Sequence, residues 1–223
     1  MVVIKKEPPP RSLVEFQRRE GASYNSVDFP REDVCRALLE EQGGLCAYCM
    51  ARISIRTIQI EHWVPQKGEH YADQYTQEEC DKLAIDYRNM MGVCPGGGGR
   101  SYRYTTCDEH RKNLRIMIDP HQQWMVDTLQ YGRDGTITST DGEIEHDITA
   151  TLNLNEATLA ANRQSAWAAC KRVMQKQQKT GTWTKAMISR QIARYEGRDE
   201  NGNRVPYAGI VLYWLKKYWK KAP

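Results

Sequence analysis

The 223-residue sequence has no run approaching the roughly 18 uninterrupted apolar residues of a membrane helix. Its opening, MVVIKKEPPP, lacks the apolar stretch of a secretory signal. A soluble, cytoplasmic protein with no membrane partner is therefore expected. An even cysteine count is missing as well: the seven present make a poor disulfide framework, and in a reducing compartment closely spaced cysteines are metal ligands more often than bridges. Internal repeats and long low-complexity segments are absent. So is acid from one region, since residues 157–195 contain no Asp or Glu. The net charge of +4 hides this asymmetry: residues 1–156 carry 18 Lys and Arg against 25 Asp and Glu, and residues 157–223 carry 14 against 3. The two parts are expected to do different jobs.

At 40% hydrophobic, the chain can bury one sizeable core with lobes. KKEPPP predicts an extended arm, because successive prolines hold φ near −65° and remove backbone donors. From Phe29 a helix is expected, with Pro30 in its first turn, Val34, Leu38 and Leu39 on one face and Gly43-Gly44 as its stop. Ile53, Ile55, Ile58 and Ile60 predict a short hairpin or pair of strands ending at Glu61-His62 and closed by Pro65. Residues 66–86 read as a polar, acidic excursion with a helical turn around Gln77–Leu83. PGGGGR after Cys94 reads as a flexible loop. A helix start is expected at Cys107, with Asp108 as its cap. Residues 124–140 predict a hairpin turning at Gly-Arg-Asp-Gly, and three helical patterns follow, from Asn155, over Thr184–Tyr195 and over Ala208–Lys221.

Cys46-Ala-Tyr-Cys49 is spaced as a knuckle for one Zn2+, and a structural zinc needs two further soft ligands from a distant segment. Cys94 and Cys107 are the candidates, since the glycines in the twelve residues between them let that insertion loop out while its ends stay close. Four buried free cysteines are the alternative. Cys80 could replace one ligand but sits in an acidic turn expected to be exposed, and Cys35 and Cys170 lie on apolar helical faces that point to the core.

The ordered set of a cysteine knuckle, Glu61-His62-Trp-Val-Pro65, Tyr-Arg-Asn89-Met-Met-Gly-Val-Cys94 and Cys107-Asp108-x-x-Arg111-Lys112 resembles an HNH endonuclease of the zinc-supported ββα-metal type, over roughly residues 42–113. An N-terminal Ile-Lys-x-x-x-Pro, Gln42-Gly-x-x-Cys-Ala-Tyr-Cys-Met, Leu152-Asn-Leu-Asn and a late Ala-Gly-Ile-Val-Leu-Tyr-Trp-Leu extend the likeness to the PtuB-like HNH subunit of Septu-type anti-phage systems, some of which accompany retrons. The resemblance implies an α+β fold. It would comprise an extended arm over 1–27, a zinc-braced ββα-metal (HNH) core over 28–120, a β-hairpin connector over 121–150 and a mainly α-helical basic lobe over 151–223. It further implies an ABC-type ATPase partner and admits a retron reverse transcriptase with its nucleic acid. The family's commoner Asp before the histidine is Glu61 here, and its final Asn or His is Asp108.

Phosphodiester hydrolysis needs an activated water on one side of phosphorus and charge stabilisation of the leaving oxygen on the other. His62 is the expected base, because an imidazole titrates near neutrality. Glu61, adjacent on a strand, points to the other face and can hold an ion with Asp108 if the helix after Cys107 folds back; His110 is the weaker choice of partner. Carboxylate oxygens suit Mg2+ or Mn2+ and thiolates suit zinc, so two different metals are inferred. Asn89 takes its expected role, orienting the loop that carries the base, from the resemblance. Arg111 and Lys112 lie on a helix face that either touches phosphate or is merely solvated.

The acid-free stretch carries Arg163, Lys171, Arg172, Lys176, Lys179, Lys185, Arg190 and Arg194. Such a surface gains from counterion release on nucleic acid, and it can equally dock an acidic protein. The residues predict a metal-dependent nuclease acting on nucleic acid, DNA ahead of RNA, and the resemblance implies that it is the effector subunit of a prokaryotic defence system. The rival from another class is an inert zinc-ribbon module that binds nucleic acid or protein, and a third reading is a nuclease acting alone in a restriction or mobile-element setting.

Overall fold

The computed structural model describes residues 1–67, 74–178 and 182–223; Lys179 and part of the acidic excursion lie outside them. The N-terminal segment runs extended to Pro10 and then forms helix α1 (Arg11–Gln17), so the arm predicted over 1–27 is extended only in its first part. Leu13 and Phe16 supply the reason, since both are buried from one side of that helix. Lys6 fastens the extended part to the body: its ammonium donates to Glu41 and to the Met90 carbonyl and lies over the Tyr87 ring. Helix α2 (Arg31–Gln42) has acids in its first turn and Gly43 in the left-handed conformation at its end, as the sequence predicts, while Pro30 is its N-cap and stands just before the first turn.

The predicted strand pairing is not the one formed. Ser54 and Thr57 close a tight turn, with Thr57 donating to the Ser54 carbonyl at 2.9 Å and Ile58 to the same oxygen at 2.8 Å, and this turn ends any strand before residue 59. Strand β1 (Gln59–His62) instead pairs antiparallel with β2 (Met90–Val93), in a register that sets Glu61 opposite Met91 and His62 opposite Met90. Between them lies helix α3 (Gln77–Leu83), started by a capping box in which Thr76 and Glu79 satisfy each other's backbone donors. Cys80 on α3 is fully buried while its acidic neighbours face solvent, so the exposure expected for it is wrong: the turn is amphipathic.

Helix α4 (Cys107–Arg111) follows the glycine loop and spans little more than one turn. Asp108 is not its cap. Thr106 holds that position without a side-chain bond, and Asp108 lies inside the first turn. The predicted hairpin is present but shorter, as β3 (Leu129–Tyr131) and β4 (Ile137–Ser139), with helix α5 (Gln123–Asp127) before it. Helix α6 (Gly142–His146) runs into a wide turn over Asp147–Thr151, which the sequence reading did not anticipate.

The three C-terminal helices form where the periodicity placed them: α7 (Ala157–Gln177), α8 (Lys185–Glu196) and α9 (Ala208–Trp219). Trp167 stacks on Trp214 and Tyr218, so those rings are packing. One continuous apolar core runs from the knuckle residues through the β3–β4 hairpin to Leu215, and the C-terminal helices are part of it, not a detached lobe. A second core gathers Leu13, Phe16, Tyr24, Phe29, Leu38, Ala84 and Met90. Strand alternation divides β2 between the two, Met91 facing the first and Met90 the second. The mixed α+β class expected from the sequence is observed, and no described helix is long and apolar enough to cross a membrane.

Candidate metal centre and adjoining acid-imidazole site

The knuckle is a tight turn. Cys46 donates to the Ala51 carbonyl at 2.9 Å, Met50 returns to Cys46 at 3.0 Å with a positive φ of 63°, and the Ala51 amide points at the Cys49 sulfur at 3.5 Å. Cys94 leaves the end of β2 and Cys107 opens α4, so the insertion between them does loop out and return. The Cys46 and Cys107 sulfurs stand 3.9 Å apart, those of Cys49 and Cys94 3.7 Å, and all four lie within 4.8 Å of one another. A tetrahedral zinc with bonds of about 2.3 Å sets its sulfurs roughly 3.8 Å apart, so the four cysteines fit that ion. Contacts with the other three sulfurs hold Cys94 far below an ordinary thiol, and those with Cys46, Cys49 and Cys94, together with burial, push Cys107 up. Four sulfurs so close cannot all ionise in the interior unless a cation joins them.

Next to this cluster, β1 presents two functional side chains to opposite faces. Glu61 faces Tyr48, whose hydroxyl donates to it at 3.0 Å, and the Arg111 guanidinium, which forms a buried ion pair with the same oxygen, Oε1. Arg111 is wholly buried, and it also donates to the carbonyls of His62 at 2.9 Å and Trp63 at 2.6 Å. This welds α4 to β1 and uses up the guanidinium, so Arg111 is no phosphate contact. Asp108, one helical turn before Arg111, faces Glu61. Burial, then the charge of Glu61 and a bond to it, push the Asp108 carboxyl up to about 8. A carboxyl held protonated by burial against a second carboxylate suits a divalent cation, which would reverse that suppression at Asp108. His110 is turned elsewhere: it stacks on Tyr102 at 4.0 Å, and its Nδ1 meets the Thr105 hydroxyl and the Tyr102 carbonyl.

His62 lies on the second face. Its Nε2 is 2.9 Å from the Ala84 carbonyl, so that nitrogen carries the proton, and Nδ1, the acceptor, is faced by the Gln66 amide at 3.4 Å. Burial lowers its pKa, and the imidazole is neutral at pH 7. Asn89, buried just before β2, accepts from the Val64 amide at 2.8 Å and donates to the carbonyls of Val64 at 3.0 Å and Leu83 at 3.1 Å. It thereby ties the segment after His62 to the end of α3, whose next carbonyl holds the imidazole.

Two residues that the sequence reading missed complete the surroundings. Tyr24 meets the His62 ring edge-on at 4.6 Å, and Arg31 lies over Tyr24 at 4.5 Å while donating to its hydroxyl at 2.6 Å. Arg31 is exposed, and no carboxylate among the described residues pairs with it. No spacing in the sequence links residues 24 and 31 to residue 62; only the fold of the N-terminal segment over β1 does.

The remaining cations are placed unequally. Arg163, grouped by sequence with the phosphate-binding set, is buried and donates to the Gly135 and Leu154 carbonyls at 2.6 and 2.7 Å, so it braces the hairpin against α7 and offers no surface charge. Lys112 is exposed and paired with Glu109 at 2.6 Å. Arg172 and Lys176 are exposed on α7, and Lys171 lies partly over Trp167.

Over 177 residues, covering 74% of this chain and 81% of the other, the sequence is 24% identical to a protein of Vibrio cholerae serotype O1 biovar El Tor named "Retron Vc95 putative HNH endonuclease". The chain is thus distantly similar to a protein named as the putative HNH endonuclease of a retron. No protein-family model matches the chain. In this chain the imidazole, the facing carboxylates and the cysteine cluster are the features any reading of function must use.

Proposed function

We propose that the protein is a metal-dependent HNH endonuclease, with β1, β2 and α4 as its ββα unit and a structural zinc held by Cys46, Cys49, Cys94 and Cys107. The observation that carries this reading is the state of His62. A buried, neutral imidazole has its proton fixed on Nε2 by the Ala84 carbonyl, and its lone pair stands at Nδ1, which is what a general base for water requires. Asn89 acts through the backbone, tying the segment after the imidazole to the end of α3, whose next carbonyl holds the ring. Glu61, through the oxygen not engaged by Arg111 and Tyr48, and Asp108 would hold Mg2+ or Mn2+. Such an ion, when bound, supplies positive charge for the leaving oxygen. Arg31, lying over the Tyr24 ring that meets His62, would contact the phosphate.

On this reading the substrate is nucleic acid, DNA ahead of RNA. The setting is a cytoplasmic, Septu-type defence system in which an ABC-type ATPase is the partner, with a retron reverse transcriptase and its nucleic acid as a further one. The retron name of the Vibrio relative supports that setting. A second reading, the inert zinc-ribbon module, is favoured by the buried Arg111–Glu61 pair, which already balances the Glu61 charge. Cleavage of DNA and RNA with Mg2+, Mn2+ or chelator, with and without the neighbouring ATPase, decides between them. Ion-dependent cleavage is expected; its absence under every condition leaves the inert module.

A further inference from the structure

The loop between Cys94 and Cys107 is longer than two zinc ligands require, and it is not slack. Thr106 donates to the Gly96 carbonyl at 2.9 Å and closes its neck. Inside it, Tyr104 donates to Ser101 at 2.8 Å, and the Thr105 hydroxyl donates to the Tyr102 carbonyl at 2.7 Å. From outside, the Asn153 amide donates to the carbonyls of Arg103 at 3.1 Å and Thr105 at 2.9 Å. The backbone is thus held from three sides, while the side chains at the tip face solvent. Tyr102 is 54% exposed and Tyr104 38%, an uncommon display for rings of that size. One face of Tyr102 rests on His110. Tyr104 carries the Arg103 guanidinium at 4.4 Å and that of Arg100 at 5.3 Å, and neither arginine has a carboxylate partner among the described residues.

A closed loop that presents tyrosine rings among unpaired guanidinium groups has the chemistry of a single-strand grip. Bases stack on ring and guanidinium planes, and the same cations neutralise the phosphates. A duplex offers no such bases, because its own stay stacked inside. We propose that Arg100, Tyr102, Arg103 and Tyr104 bind unpaired bases of a nucleic-acid strand and deliver the strand to the site beside α4. The inference rests on the nuclease reading for its purpose, since Tyr102 stacks two residues from Asp108, but not for its chemistry.

The test is the affinity of the intact, zinc-loaded protein for single-stranded DNA, single-stranded RNA and duplex DNA of one sequence, measured by fluorescence anisotropy in chelator-free buffer without Mg2+ or Mn2+. Removing one stacking ring costs a base contact of about 1–3 kcal/mol, which is roughly 5- to 150-fold in affinity. Tyr104→Ala and Tyr102→Ala should each weaken single-strand binding by such a factor while duplex binding changes less than 2-fold, and Tyr104→Phe should restore it. Arg100→Gln with Arg103→Gln should flatten the single-strand salt slope by roughly 0.7 per lost contact. Tyr104 makes no hydrogen bond through its hydroxyl among those described, so its variant keeps the test valid if Tyr102→Ala misfolds. Unchanged single-strand affinity in Tyr104→Ala overturns the proposal, and so does an equal loss on duplex. If DNA and RNA strands weaken together, the ligand is the unpaired base itself; loss on one alone assigns the loop to that strand. Because no cleavage is read, these outcomes stand even if the protein proves catalytically inert.

Discussion

His62 shows how a single side chain is prepared for one task. The alternating strand buries it on the Met90 face, the Ala84 carbonyl fixes its tautomer, and burial keeps it neutral. His62→Ala should leave fold and zinc intact and lower cleavage by about 10^2- to 10^4-fold, measured as turnover beside zinc content. The pH dependence follows from the sign of the shift. A histidine whose folded pKa lies below its ordinary 6.5 contributes stability that is present above 6.5 and lost as pH falls toward the lowered value. The unfolding midpoint of the native protein should therefore drop on acidification below 6.5, and His62→Ala should show a smaller drop over the same range. Arg111 is the complementary case, a charge whose work is structural. It is fully buried on Glu61 and two carbonyls, so Arg111→Met, which keeps much of the volume, strands a carboxylate and should cost about 3–5 kcal/mol in urea unfolding.

At the scale of elements, the short pieces of this chain hold together through what joins them. Helix α4 has five residues and could not persist alone; the sulfur cluster at its start and Arg111 at its end keep it on β1. Purified protein should accordingly carry about one zinc per chain, and a strong chelator should abolish the cooperative unfolding transition, as should Cys46→Ser or Cys107→Ser. Far-ultraviolet circular dichroism with and without chelator reads this directly. The β3–β4 turn depends on a different kind of contact. At Gly135, φ is +89°, and an added Cβ would stand 1.9 Å from the Ala160 carbonyl of α7. Gly135→Ala should therefore lower the melting temperature by lifting the hairpin from α7, and Arg163 would lose one of its two carbonyl acceptors with it.

Across the whole molecule, charge separates what the core unites. The +11 of residues 157–223 and the −7 of the rest share one apolar core, so the asymmetry is a property of surfaces, not of independent domains. If the basic face grips duplex phosphates, each lost contact should reduce the slope of log affinity against log salt by about 0.9, and Lys171→Gln, Arg172→Gln and Lys176→Gln together should both weaken binding and flatten that slope. If the face docks the ATPase, the same protein should bind nucleic acid normally and its partner weakly. No change in either titration would make the face a merely solvated one. Arg163 is excluded from this set by its burial.

Much of this protein could be read directly from its residues. The knuckle spacing, the Gly43 stop and the periodicity of α7 to α9 are local properties, decided by contacts within a turn or two, and the structure has each of them. The pairing of β1 was not local. Strand propensity marks Ile53 to Ile60 as extended without naming a partner, and the partner lies thirty residues away, beyond α3. Burial was likewise beyond reach for Cys80, Arg111 and Arg163. A charge or thiol in sequence carries no sign of whether carbonyls or apolar atoms will surround it. The same reason hid Tyr24 and Arg31, since a ring or guanidinium becomes part of a site only when the chain returns to it. Composition and short spacing determined which chemistry this chain could carry, and long-range packing decided which atoms of those residues remain free to perform it.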